Sequence, residues 1–479
     1  MSPMRFLAFG EIRDRLVGDD NPARDGGDMD YERCAALHNA IVKHGWTASG
    51  RSLDDLPLTT CWEANEEDWE ADASRLHPSM VEFLKRAYNT ELPETEPIYN
   101  CVSREYKFFY FLEGLIGPQG HEVYDLGDHI GDHPGHYMTL YSPNNRLGSH
   151  AQGLMLETIL SVYIDMIETE KVVCIHNDVE KPGDFKLVNL GEEAGQQWLS
   201  TQDRPDSLVA DPITGLAKNG NIMFGPWIVL QYTKGVLEQC LETWEVLVEA
   251  IEQKIPAISD SVVEVQYGLA DESMLETAGI IEDFLRKLLL RARRPRFTYI
   301  APGIRLPTPE EFIDQPFSSI KESEADEDIH RKMPFLIFRG ENTCRASEHF
   351  SHPYNQASRI PTGLYLEGWT QSDLTPFTDA TRLLLPFAIG GEDTWAQTSN
   401  GLAIDGRHDE LYQIGDNPFA PDHGTSLLGI LQNFYAHVVQ GNWSVDGRGV
   451  SDPIDKFREA ETEEHCNQYA VPMGPGEFW

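Results

Sequence analysis

A chain of 479 residues with 78 acidic and 38 basic side chains must fold against its own repulsion, since a formal charge of -40 disfavours any compact state. The few cations are counter-charges that the fold has to place, and they are not spread evenly. Residues 284–309 contain no carboxylate, yet carry Arg286, Lys287, Arg291, Arg293, Arg294, Arg296 and Arg305. Such an island has two readings. It offers phosphates or a polyanion a place to bind, with Phe297 and Tyr299 adjacent as stacking surfaces. Alternatively, it supplies internal counter-charge and complements the negative end of a helix.

Composition sets the frame around that island. The chain is 41% hydrophobic and 10% aromatic, which supports a large globular core of two to three subdomains. Cys34, Cys61, Cys101, Cys174, Cys240, Cys344 and Cys466 are widely spaced and form no CxxC pair, a pattern expected of reduced thiols. The apolar run before Glu11 is too short for a secretory core, and no stretch approaches the ~20 apolar residues that span a bilayer. The expected location is cytoplasmic, without a membrane partner. An acidic surface also repels DNA at long range, so a sequence-reading DNA-binding protein is not expected.

Periodicity predicts a mixed α/β or α+β fold with a helix-rich centre. Val236, Leu237, Cys240, Leu241, Trp244, Leu247, Val248 and Ile251 recur at helical spacing, with Glu238, Glu242, Glu245, Glu249 and Glu252 on the other side. Further helices are expected over 154–168, 274–291 and 425–439, and a strand over 171–175 leading to His176, Asn177 and Asp178. The expected organisation is an N-terminal mixed region (1–145), a helix-rich core (146–306), an acidic linker or loop (307–332) and a C-terminal α+β region (333–479).

Chemistry-bearing patterns are scattered. His129, His133 and His136 lie among aspartates in a glycine-rich segment, and His176 with Asp178 has the HxD form. Either set is an alternative site for Fe or Zn; for the HxD pair, His349 or His352 is the expected third ligand and Arg359 is placed to pair with a keto-acid carboxylate. No GxSxG elbow is present, and Gly215-Leu-Ala-Lys-Asn-Gly220 continues with Asn221 where a phosphate loop needs Lys. Asp260-Ser-Val-Val-Glu264 sets two carboxylates between the expected helices, near the basic island.

Two segments resemble recurring blocks of a large family of filamentous-fungal proteins. One is Arg291-Ala-Arg-Arg-Pro-Arg-Phe-Thr-Tyr-Ile-Ala-Pro-Gly-Ile-Arg-Leu-Pro307. The other runs from Glu410-Leu-Tyr-Gln413 through Asp455-Lys-Phe-Arg-Glu-Ala-Glu-Thr-Glu-Glu-His465. A related expectation comes from the arginine-containing cyclodipeptide synthases, fungal enzymes that take aminoacyl groups from charged tRNA and close them into a diketopiperazine. Their DDxxE motif resembles Asp260-Ser-Val-Val-Glu264, with Ser261 in the second position.

The resemblance implies that Asp260 and Glu264 are acid/base groups. It also implies that Arg286, Lys287, Arg291, Arg293, Arg294 and Arg296 hold acceptor-stem phosphates of an aminoacyl-tRNA, with no assigned cofactor. The leading expectation is therefore an enzyme of specialised metabolism forming an arginine-containing cyclic dipeptide. A metal-dependent oxygenase or hydrolase and a non-catalytic protein whose acidic face binds a basic partner stand beside it.

Overall fold

The computed structural model describes residues 7–18, 20–24, 29–48, 52–64, 66–72, 78–89, 156–168, 172–177, 185–187, 222–224, 227–229, 234–256, 264–280, 283–318, 334–345, 353–354, 358–366, 381–399, 401–407, 409–413 and 425–471. The chain divides into two compact units, Met1–Gln231 with Leu374–Pro376, and Tyr232–Asp373 with Phe377–Trp479. Residues 234–305 thus share a unit with the C-terminal strands, and the 307–332 segment lies inside that unit.

In the N-terminal unit, helix α1 (Tyr31–Ala48) buries Cys34, Leu37, His38 and Ile41 at helical spacing. It packs against α2 (Pro78–Leu84) and α3 (Leu156–Glu168). Arg33 ties the preceding loop to α1. Its Nε donates to Arg15 O at 2.6 Å, Nη1 to Pro22 O at 2.8 Å and Nη2 to Asn21 O at 2.9 Å, so the buried guanidinium is caged by carbonyls. The expected strand extends further than its apolar run: β1 (Val172–Asn177) includes His176, and pairs antiparallel with β2 (Phe185–Leu187) and β4 (Trp227–Val229). The sheet order is β2-β1-β4-β3, with β3 spanning Ile222–Phe224.

The C-terminal unit is built on a seven-stranded sheet of order β10-β11-β5-β6-β7-β8-β9. Its strands are β5 (Tyr299–Ala301), β6 (Ile304–Arg305), β7 (Phe335–Arg345), β8 (Arg359–Leu366), β9 (Thr381–Leu384), β10 (Val445–Asp446) and β11 (Gly449–Val450). Among these, β11 and β5 run parallel and the other neighbours antiparallel, so the class is α+β with a mixed sheet. Helix α4 (Lys234–Gln253) carries the expected apolar stripe into the core, where Trp244 stacks on Phe338 of β7 at 5.1 Å between ring centroids.

The helix expected over 274–291 is two helices, α5 (Glu272–Thr277) and α6 (Asp283–Arg291). Gly279 adopts φ 75° and the Ile280 N–H donates back to Leu275 O, a left-handed exit that ends α5. The expected 307–332 loop likewise contains α7 (Pro309–Ile313), started by a Thr308/Glu311 capping box with Pro309 in the first turn. Helix α8 (Leu427–Gln440) runs from its Ser426 N-cap to Gly441 at φ 78°, and Lys254 Nζ, just past α4, donates to Val438 O near its end.

Candidate functional site

The arginine island folds back on the acidic side of α4. Glu238, Glu245, Glu249 and Glu252 recur at spacings that align them along one stripe of a helix. Arg291 reaches Glu238 with two hydrogen bonds, at 3.0 and 2.8 Å. Arg293, buried, donates to Glu245 at 2.8 Å, Glu249 at 3.1 Å and Glu252 at 2.6 Å, while Arg296 Nη2 meets the same Glu252 at 2.8 Å. Burial would raise the Glu252 carboxyl, but hydrogen bonds from Arg296 and the charges of Arg293 and Arg296 outweigh it and hold it below the ordinary range. Arg286 pairs with Glu272 and donates to Ile280 O at 3.0 Å, and Arg305 chelates Glu311 at 2.7 and 2.6 Å. Lys287 is half-buried on α6.

Arg294 is held differently. Its N–H donates to Gln266 O and its Nε to Gly268 O, both at 2.8 Å, and the side chain is exposed. Its terminal nitrogens have no hydrogen-bond or ion-pair partner among the described residues. The segment it binds contains exposed Glu264, Val265 and Tyr267, and Tyr267 forms an isolated β-bridge with Arg293. The Glu264 end of the DDxxE-like segment therefore stands on the strip of backbone attached to the island. Asp260 lies outside the described residues.

The alternative metal ligands are not brought together in any described part of the chain. His129, His133, His136, Asp178, His349 and His352 lie outside the described residues, as does the 215–220 segment, and of His176 only the β1 backbone is described. Arg359 donates to Thr343 Oγ1 at 2.8 Å. Among the described residues no group of three His, Cys, Asp or Glu side chains converges to hold a metal, and no helix is long and apolar enough to cross a membrane. Cys34, Cys61, Cys240, Cys344 and Cys466 are buried thiols, and burial pushes Cys344 up to about 12, far from a reactive thiolate.

The C-terminal resemblance blocks fall on structural contacts. Glu410 meets Arg382 at 2.8 Å in a fully buried pair, and Glu461 accepts the Gly390 N–H at 3.2 Å while facing Arg458. Glu459 accepts from Lys456 at 2.7 Å and from the Tyr469 hydroxyl at 3.2 Å.

Sequence reasoning passed over a second polar group on the sheet. Tyr299 on β5 faces Arg305 on β6, and Arg305 faces Arg339 on β7. The Tyr299 hydroxyl donates to Glu341, and Arg448 lies over its ring at 5.3 Å. The available signal was Arg339 itself, a cation closing the apolar run Phe335-Leu-Ile-Phe338 of a central strand. Comparison with protein-family models, with curated proteins and with solved structures returned no match.

Proposed function

We propose that the chain is an aminoacyl-transfer enzyme of the cyclodipeptide synthase type, forming an arginine-containing cyclic dipeptide from aminoacyl-tRNA. The observation that carries this reading is the juxtaposition of Glu264, Tyr267 and Arg294 on one exposed strip, held by the Arg294 N–H bond to Gln266 O at 2.8 Å. In such a reaction the amine of one aminoacyl group attacks the ester carbonyl of the other and expels a tRNA hydroxyl. A second attack by the remaining amine closes the ring and releases the other tRNA. Glu264 would take the proton that the attacking ammonium must lose. Arg294 would meet a phosphate of the acceptor end, and Tyr267 offers a ring on which an unpaired base can stack.

The role of the island narrows under this reading. Arg286, Arg291, Arg293 and Arg296 neutralise the protein's own carboxylates, and Arg294 is exposed with no carboxylate partner among the described residues. The test is mass spectrometry of extracts from a yeast host expressing the chain against a vector control. A new arginine-containing diketopiperazine, reduced in E264Q and R294E, is the expected result. Absence of any new product, or full production by both variants, overturns it.

A second reading is favoured by one observation: those internal pairs leave the island with little outward positive field on a chain of charge -40. A basic protein partner would be drawn to such a surface. Capture of a partner that is lost between low and high salt, with no small-molecule product formed, distinguishes it from the enzyme.

A further inference from the structure

The Tyr299, Arg305 and Arg339 row carries an inference that does not rest on the reading above. Residues directly opposed on antiparallel strands project from the same face, with Cβ atoms about 4.5–5.5 Å apart, and like charges so placed destabilise the sheet. Arg305 and Arg339 are such a pair. Glu311 answers Arg305 with both oxygens, at 2.7 and 2.6 Å. Arg339 is half-buried and has no hydrogen-bond or ion-pair partner among the described residues, although its charge reaches Glu311.

The row is bounded by Gly449 beside Tyr299 and Gly363 beside Arg339. Their φ values are 108° and 142°, and a Cβ at either would stand 2.2 Å from a carbonyl oxygen. No side chain can be accommodated at either position, where Phe297 Cδ2 (at Gly449) and Leu336 Cδ1 (at Gly363) also stand 2.8 Å from the added carbon. Three guanidiniums (Arg305, Arg339 and Arg448, the last over the Tyr299 ring) stand against the carboxylates of Glu311 and Glu341. The row therefore carries one more cation than carboxylates on a strongly acidic molecule.

We propose that Arg339, with Arg305 beside it, is a binding site for a small oxyanion, the carboxylate or phosphate group of a ligand. The planar fork of Arg339 can donate two parallel hydrogen bonds to either group. An added anion would offset the repulsion between the two guanidiniums, which one carboxylate shared toward Arg305 leaves in place. The half-buried fork admits a small anionic group whose direct contacts outweigh the negative field of the molecule.

Thermal melting of the full chain at matched ionic strength, with inorganic phosphate in one arm and acetate in the other, tests this site. The expected result is a rise of about 2–4 °C in Tm at about five times the Kd of the anion that binds, and the responding arm identifies phosphate or carboxylate as the group. Arg339→Gln should abolish the rise while melting no lower than wild type without the anion. Arg339→Lys keeps the charge, removes the fork and should reduce the rise, which keeps the test intact if the Gln variant fails to fold. Arg407→Gln, at an exposed arginine elsewhere, should leave the rise unchanged. No shift with either anion, or an equal shift in wild type and both Arg339 variants, overturns the proposal.

Discussion

Arg293 and Glu252 meet at 2.6 Å in the C-terminal unit, with 8% and 4% of their side chains exposed. Glu252 also carries Arg296, and the carbonyl of Arg293 accepts the Trp244 indole N–H at 2.8 Å, so charge pairing and core packing share one site. Removing one partner of a buried pair strands the other and costs roughly 3–5 kcal/mol. E252A should be the costlier change, because it takes from Arg296 the carboxylate that receives its N–H, Nε and Nη2 and from Arg293 its most buried partner, leaving Arg293 with Glu245 and Glu249, whereas R293A leaves Glu252 paired with Arg296. Urea unfolding checks this order, and a neutral R293A would show that the pair does not stabilise the fold.

That asymmetry decides which arginine variants can report on function. R293E places a carboxylate among Glu245, Glu249 and Glu252 and should unfold the unit, so its loss of product would say nothing about tRNA. R294E removes an exposed charge whose side chain donates to a single carbonyl, Gly268 O, and should change stability by about 1 kcal/mol or less. E264Q should likewise melt as wild type while lowering product by about 100-fold or more if Glu264 is the base. Melting curves and product yields measured on the same preparations separate the two effects.

Acid should act on Arg305 and Glu311 in a definite direction. Hydrogen bonds from Arg305 and from the Thr308 N–H hold the Glu311 carboxyl at about 2, against an ordinary 4.5. A depressed folded value contributes stability that is fully present above 4.5 and is lost as pH falls from there toward 2. E311Q should therefore be less stable than wild type at neutral pH, with the difference shrinking over that window. A difference that stays constant from pH 5 to 2.5 would contradict the pairing.

The long helix α4 was legible because both of its faces were written at one period, Val236 to Ile251 inward and the glutamates outward. What could not be read was the addressee of those glutamates. Arg291, Arg293 and Arg296 lie some 40 residues or more further along the chain, at separations of 53, 41 and 44 residues from Glu238, Glu252 and Glu252, and periodicity carries no information about pairing at that range. The break at Gly279 was missed because apolar spacing persists on both sides of it, with Leu275 and Leu285 both buried. Arg339 escaped notice because its significance depends on register: only the β6 and β7 pairing puts it opposite Arg305.

His437, near the end of α8, gives the last prediction. Its ring stacks on Trp443 at 4.6 Å and 4° and packs against Tyr469 at 4.4 Å. Burial pulls its pKa from 6.5 down to about 4, with the Gln468 backbone and Glu459 acting in the opposite direction and Lys456 and His465 adding to the fall. The neutral ring is the folded form, and the unfolded chain binds the proton more readily. Stability should consequently decline as pH drops from about 6.5 toward 4. In H437Q, which keeps a polar group but cannot titrate, that part of the decline should vanish. His38 is lowered the same way in the N-terminal unit, so the quantity to measure is the stability difference between wild type and H437Q at each pH. If that difference does not change between pH 7 and 4.5, His437 is not held neutral by its surroundings, and the stack on Trp443 tolerates an imidazolium.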